Sequence, residues 1–98
     1  MSDTTHERVR AVVIGEVQGV GFSYFVLEVA NSLPITGWVR NRHDGSVEVL
    51  AEGQRQSLDL LLQALKEGPR SARVFEVREE WTKATGEYSS FWIGQTRE

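Results

Sequence analysis

Eight consecutive residues, Gly15-Glu16-Val17-Gln18-Gly19-Val20-Gly21-Phe22, carry the first chemistry this sequence offers. They follow a β-branched run, Val9 to Ile14, and precede a run with helical periodicity. The order is therefore strand, glycine-rich loop, helix start. Gly15, Gly19 and Gly21 allow positive φ and a tight turn. Successive backbone N–H groups can then converge on one point, and a helix N-terminus adds partial positive charge there. Such a loop can cradle a small anion, a phosphoryl group above all. The same spacing also describes a plain strand-to-helix turn, and on spacing alone both readings stand.

The elements around the loop decide what can reach it. Ser23 to Leu33 reads as a helix, with Phe22, Val26, Val29, Ala30 and Leu33 on one stripe and Pro34 as its stop. Ser23 stands where an N-cap would be useful. Ile35 to Arg42 reads as a strand, with Ile35, Val39 and Asn41 on one parity and Trp38, Arg40 and Arg42 on the other. His43-Asp44-Gly45 signals a hairpin, Asp-Gly being a favoured two-residue turn. In the third strand, Ser46 to Glu52, Val47, Val49 and Ala51 face the core while Ser46, Glu48 and Glu52 face out, a solvated face. Gln54 to Glu67 is a second helix with Leu58, Leu61, Leu62 and Leu65 on one side, ended by Gly68-Pro69. Ala72 to Trp81 alternates Phe75, Val77 and Trp81 against Arg78 and Glu80 as a fourth strand. Thr82 to Glu87 is a loop, and Tyr88 to Ile93 a short fifth strand. Residues 1–8 read as a disordered tail, and residues 9–94 as one domain.

The sequence thus specifies an α+β fold, a ferredoxin-like α/β sandwich of order βαββαβ plus a short C-terminal strand. Two helices should cover one face of an antiparallel sheet. The first two strands then run parallel, joined by a right-handed crossover. Their C-terminal ends share one edge, so the cradle and Asn41 meet there. Taken alone, Asn41 is a strand-end or turn-capping residue.

Composition narrows the chemistry. The chain has 98 residues, 40% apolar and 26% charged, with no cysteine and a net charge of −3. Thiolate nucleophiles, disulfides and thiolate metal sites are excluded. His6 and His43 are far apart with no carboxylate cluster, so no metal site is expected. The acidic balance argues against nucleic acid, including an RNA-binding sheet, which would need clustered Lys and Arg and a Lys/Arg-Gly-Phe type motif. No apolar run is long enough to span a membrane, and no signal-peptide blocks are present, so a cytoplasmic protein is expected; a monomer is expected as well.

Two motifs, the loop above and Gly37-Trp38-Val39-Arg40-Asn41-Arg42-His43-Asp44-Gly45-Ser46-Val47-Glu48, resemble the acylphosphatases. Gly68-Pro69 and Ala72-Arg73-Val74 also look like the family, and the resemblance runs from about Val9 to Ile93. It implies phosphoryl binding by the backbone amides of Glu16, Val17, Gln18, Gly19, Val20, Gly21 and Phe22, and a catalytic asparagine at Asn41 that orients the attacking water. It implies no cofactor, and a small acyl phosphate or inorganic phosphate as ligand. The family's catalytic arginine falls on Ser23, a departure from the pattern.

The chemistry fits such a site. An acyl phosphate is a mixed anhydride whose leaving carboxylate needs no proton, so no strong general acid is required. The protein has only to hold the phosphoryl group, offset its charge and place a water in line. Without the arginine fork at Ser23, reduced turnover is expected. Arg40 and Arg42 lie on the wrong strand parity to replace it, and Arg97 falls in the polar C-terminal tail. The rival reading is a catalytically silent phosphate-binding module of the same fold: Ser23 favours it, and Asn41 favours catalysis.

Overall fold

In the computed structural model, which describes residues 5–96, Val9, Ala11 and Val13 are fully buried along strand β1 (Glu7–Glu16). Helix α1 (Phe22–Asn31), strands β2 (Thr36–Asn41) and β3 (Val47–Gly53), helix α2 (Arg55–Glu67) and strands β4 (Arg73–Lys83) and β5 (Phe91–Ile93) follow. The strands form one sheet in the order β4-β1-β3-β2-β5. One face carries Val9, Ala11, Val13, Val39, Val47, Val49 and Ala51, and both helices pack on it. α1 lies over β2 and β5, and α2 over β1, β3 and β4. Phe22, Leu58, Leu61 and Leu65 fill the gap between layers, each burial contributing about 1.5–3 kcal/mol. The α+β sandwich and its element order are as the sequence specifies.

Several details differ. The sheet is mixed rather than antiparallel, because β5 pairs parallel with β2. β4 ends at Lys83 opposite Glu7, the same end of the sheet at which β2 begins. The chain crosses there beneath β3, where the Glu52 carboxylate accepts from the Thr85 and Gly86 N–H groups at 2.9 and 3.0 Å. It must then run up beside β2. β1 begins at Glu7, so the tail expected over residues 1–8 overlaps its first two residues; residues 1–4 lie outside the described residues, as does Arg97. The hairpin has three loop residues rather than two: Arg42 N–H donates to Ser46 O, and Gly45 N–H to Arg42 O. Asp44 accepts from the Ser46 N–H and hydroxyl at 2.9 and 2.6 Å, bonds that hold its carboxyl below the ordinary range. Phe75 leaves the core, 66% exposed. It is skipped in the pairing, where Ile14 faces Glu76 and Gly15 faces Val74, so Val74 takes the inward place. Trp81 lies against the core, whereas Trp92 is exposed.

The face opposite the helices is not solvated at its centre. Glu48 and Glu52 are each only 3% exposed. β3 is the middle strand, and arginines from both neighbours lie over it. Glu48 accepts from Arg10 Nε at 2.5 Å and Arg40 Nε at 2.9 Å, and Glu52 accepts from Arg8 Nε at 2.7 Å. Alternation alone cannot show such lids of long side chains. Burial pushes the Glu48 carboxyl up, but the Arg40 and Arg10 hydrogen bonds outweigh it and hold the group below the ordinary range. Glu52 is lowered likewise, by Thr85, Gly86 and Arg8 against its burial.

An unfolded glutamate titrates near about 4.3. The folded values lie lower, so both groups contribute stability that is fully present above that pH and lost as pH falls through the folded values. Thermal melts are expected to drop between about pH 5 and pH 3. Glu48→Gln should flatten that drop while costing about 2 kcal/mol near neutrality, between the values for exposed and fully buried pairs. Equal acid slopes in the two proteins would count against this assignment.

Candidate phosphoryl-binding site

Val13, Val47 and Asn41 form one row across β1, β3 and β2. Asn41 follows buried Val39 by two residues, so it lies on the helix-side face at the end of its strand. β1 runs on past this row, and Gly15 and Glu16 pair with Val74 and Arg73 before the loop departs. Gly15 is needed there: at φ 151° a Cβ would run into the Arg73 carbonyl oxygen.

Beyond Glu16, the loop is pinned at four points. Val17 is buried in the core. The Gln18 amide donates to two carbonyls of the hairpin, Arg42 O at 2.7 Å and Ser46 O at 2.8 Å. The Ser71 hydroxyl donates to Val20 O at 2.7 Å. Phe22 is buried as the first residue of α1. Between these anchors, Gly19 and Gly21 take φ values of 72° and 77°. A Cβ at either would meet open space, so backbone conformation, not crowding, calls for glycine.

Gly21, not Ser23, is the N-cap, and its carbonyl accepts from Phe25 N–H at 3.0 Å. Ser23 is half-buried in the first turn. The helix starts one residue before the sequence reading because Phe22 belongs to the core-facing stripe. Among the described residues, no acceptor takes the main-chain N–H groups from Gln18 to Tyr24. The Ser23 hydroxyl and the half-buried Asn41 amide likewise have no hydrogen-bond partner there. The structure thus offers a run of unclaimed donors at a helix N-terminus, and a free amide on the neighbouring strand end. It can receive an oxyanion, and it adds only the helix's partial charge of about +0.5.

Of the residues singled out in the sequence, Glu16 is exposed and paired with Arg73, and Val17, Val20 and Phe22 anchor the loop by their side chains. Arg40 and Arg42 lie with Glu48 on the opposite face from Asn41. Among the described residues, no group of three or more His, Cys, Asp or Glu could hold a metal ion. Sequence reasoning missed the Gln18 strap and the Ser71 brace. A glutamine in a glycine loop hints at a bond to neighbouring backbone, whereas Ser71 gives no signal before the α2–β4 connection is placed. Gln18→Ala removes the second donor from each of two hairpin carbonyls, which keep only their backbone partners. It is expected to cost about 2 kcal/mol and to weaken inorganic phosphate binding about tenfold by displacing the cradle. Melts and phosphate titrations check both, and unchanged phosphate affinity would refute the strap's positioning role.

A sequence profile described as Acylphosphatase matches residues 9–93. The chain is 46% identical to an acylphosphatase of Salinibacter ruber over 91 residues, 93% of this chain and 96% of that protein. It is 50% identical to one of Koribacter versatilis over 92 residues, 94% of this chain and 84% of that protein. The crystal structure of acylphosphatase from Bacillus subtilis superposes with a TM-score of 0.86 at 38% identity, covering 90% of this chain and 98% of that one.

Proposed function

The chain belongs to the acylphosphatase family, hydrolases that cleave the carboxyl–phosphate bond of acyl phosphates, and from that premise we propose how this chain's site works. The loop from Glu16 to Phe22 holds the phosphoryl oxygens with its backbone N–H groups. Asn41 holds a water in line with the phosphorus–oxygen bond to the acyl group. The water oxygen bonds to phosphorus, the phosphorus–oxygen bond to the acyl group breaks, the water's protons stay with the phosphate, and carboxylate and phosphate leave. Ser23 can donate one neutral hydrogen bond but brings no charge, so turnover is low.

One observation carries this reading: a row of unclaimed N–H donors lies in a loop that Gln18 ties to the hairpin directly after Asn41, whose amide bonds nothing among the described residues. The net charge of −3 supports a small phosphorylated ligand over nucleic acid. No helix among the described residues is long and apolar enough to cross a membrane. We take the chain to act as a cytoplasmic monomer on free acyl phosphate. A second reading, a silent phosphate-binding module, is favoured by Ser23. Benzoyl phosphate hydrolysis in excess chelator, with inorganic phosphate as competitor, separates the two. Slow hydrolysis inhibited competitively by phosphate is expected. Phosphate binding without hydrolysis would establish the silent module, and no phosphate competition would overturn the cradle itself.

A further inference from the structure

A groove of about 550 Å³ opens at Gly21, the last cradle glycine, and runs along the outer side of α1 between Tyr24, Phe25, Leu27, Glu28 and Pro69. Building on the proposed function above, we propose that this groove receives the acyl group of the substrate and selects neutral, apolar acyl chains or rings. In-line displacement puts the attacking water and the leaving carboxylate on opposite sides of phosphorus. Asn41 lies on the sheet side of the site, beneath α1. With the water held there, the acyl group points away from the sheet, toward the outer side of the helix where the groove begins.

The lining suits an apolar guest. Phe25 and Leu27 are half-buried, and Pro69 closes the far wall from the α2–β4 connection. Tyr24 is 73% exposed and, among the described residues, has no ring, ion or hydrogen-bond partner, so its ring is free to cover a ligand. Glu28 has no cationic partner there. Its carboxylate opposes an acyl group that carries a second negative charge. The cradle fixes the phosphate in every substrate, and discrimination falls to this wall.

The test compares kcat/KM for benzoyl and acetyl phosphate in the chain itself and in its Ser23→Arg variant, each with Tyr24→Ala, Tyr24→Phe or Glu28→Gln added. Tyr24→Ala is expected to lower the benzoyl-to-acetyl ratio about tenfold, and Tyr24→Phe to keep it. Glu28→Gln is expected to raise kcat/KM for succinyl monophosphate, which carries a distal carboxylate, relative to acetyl phosphate. An unchanged benzoyl-to-acetyl ratio in Tyr24→Ala, with hydrolysis intact, overturns the groove alone. Hydrolysis of neither acyl phosphate, even with Ser23→Arg, overturns the cradle reading and this inference with it.

Discussion

Ser23→Arg is expected to raise kcat/KM for benzoyl phosphate by about 10³-fold. The position lies two residues beyond the Gly21 N-cap, half-buried in the first helical turn, with a hydroxyl that bonds nothing among the described residues. An arginine there starts beside the cradle and can offer a planar fork to two equatorial phosphoryl oxygens. Serine supplies one neutral donor at most. Charge builds on those oxygens in the transition state, so the fork acts more on the transition state than on bound substrate, and kcat should carry most of the gain.

The same substitution should cost stability. A cation in the first turn opposes the helix dipole, by about 0.3–1 kcal/mol. Faster turnover with a slightly lower melting temperature, restored by inorganic phosphate, is the joint signature expected. A chain already fast and indifferent to Ser23→Arg would show that another group supplies the charge. Arg73 would then be the residue to change, since it pairs in register with Glu16 and has no ion pair among the described residues. Arg40 and Arg42 would not, committed as they are to Glu48 across the sheet.

Periodicity made the fold legible. The stripe through Phe22, Val26 and Ala30 and the alternation at Val47, Val49 and Ala51 each point one face at one core, and a sandwich that buries both leaves little choice. The crossover rule then places the ends of β1 and β2 together from sequence order alone. What stayed hidden depends on long side chains and on distant backbone. Glu48 looks solvent-facing by alternation because alternation cannot register Arg10 and Arg40 closing over it from both neighbours. Phe75 looks inward by parity because parity does not show that it is the extra residue of a bulge in β4, opposite the Ile14–Gly15 step, which shifts the count by one. Ser23 looks like a cap because serine favours caps, yet Phe22 is already helical and Gly21 turns the chain. At the site, residue types revealed the donors and the amide. They did not reveal the Gln18 strap that fixes the distance between them, since its acceptors, Arg42 O and Ser46 O, are carbonyls any residue could supply.

Asn41→Ala, placed in the Ser23→Arg background, is expected to remove about 10²–10³ of the restored rate. The arginine and the cradle would still hold the phosphoryl group, but the attacking water would lose its fixed donor and acceptor. The loss should therefore fall on kcat, while inhibition by inorganic phosphate stays within about twofold of the parent, because uniform binding is untouched. In the Ser23 chain the same change should cost less, because residues that act on one transition state are not additive. Structure is not the confounder here. Asn41 ends β2 with no side-chain bond to lose among the described residues, and its truncation leaves the β2–β3 pairing through Val47 in place. Parallel losses in kcat/KM and phosphate affinity would instead make Asn41 a phosphate ligand. An unchanged rate would return it to the role of a strand-end residue and leave the water without a holder.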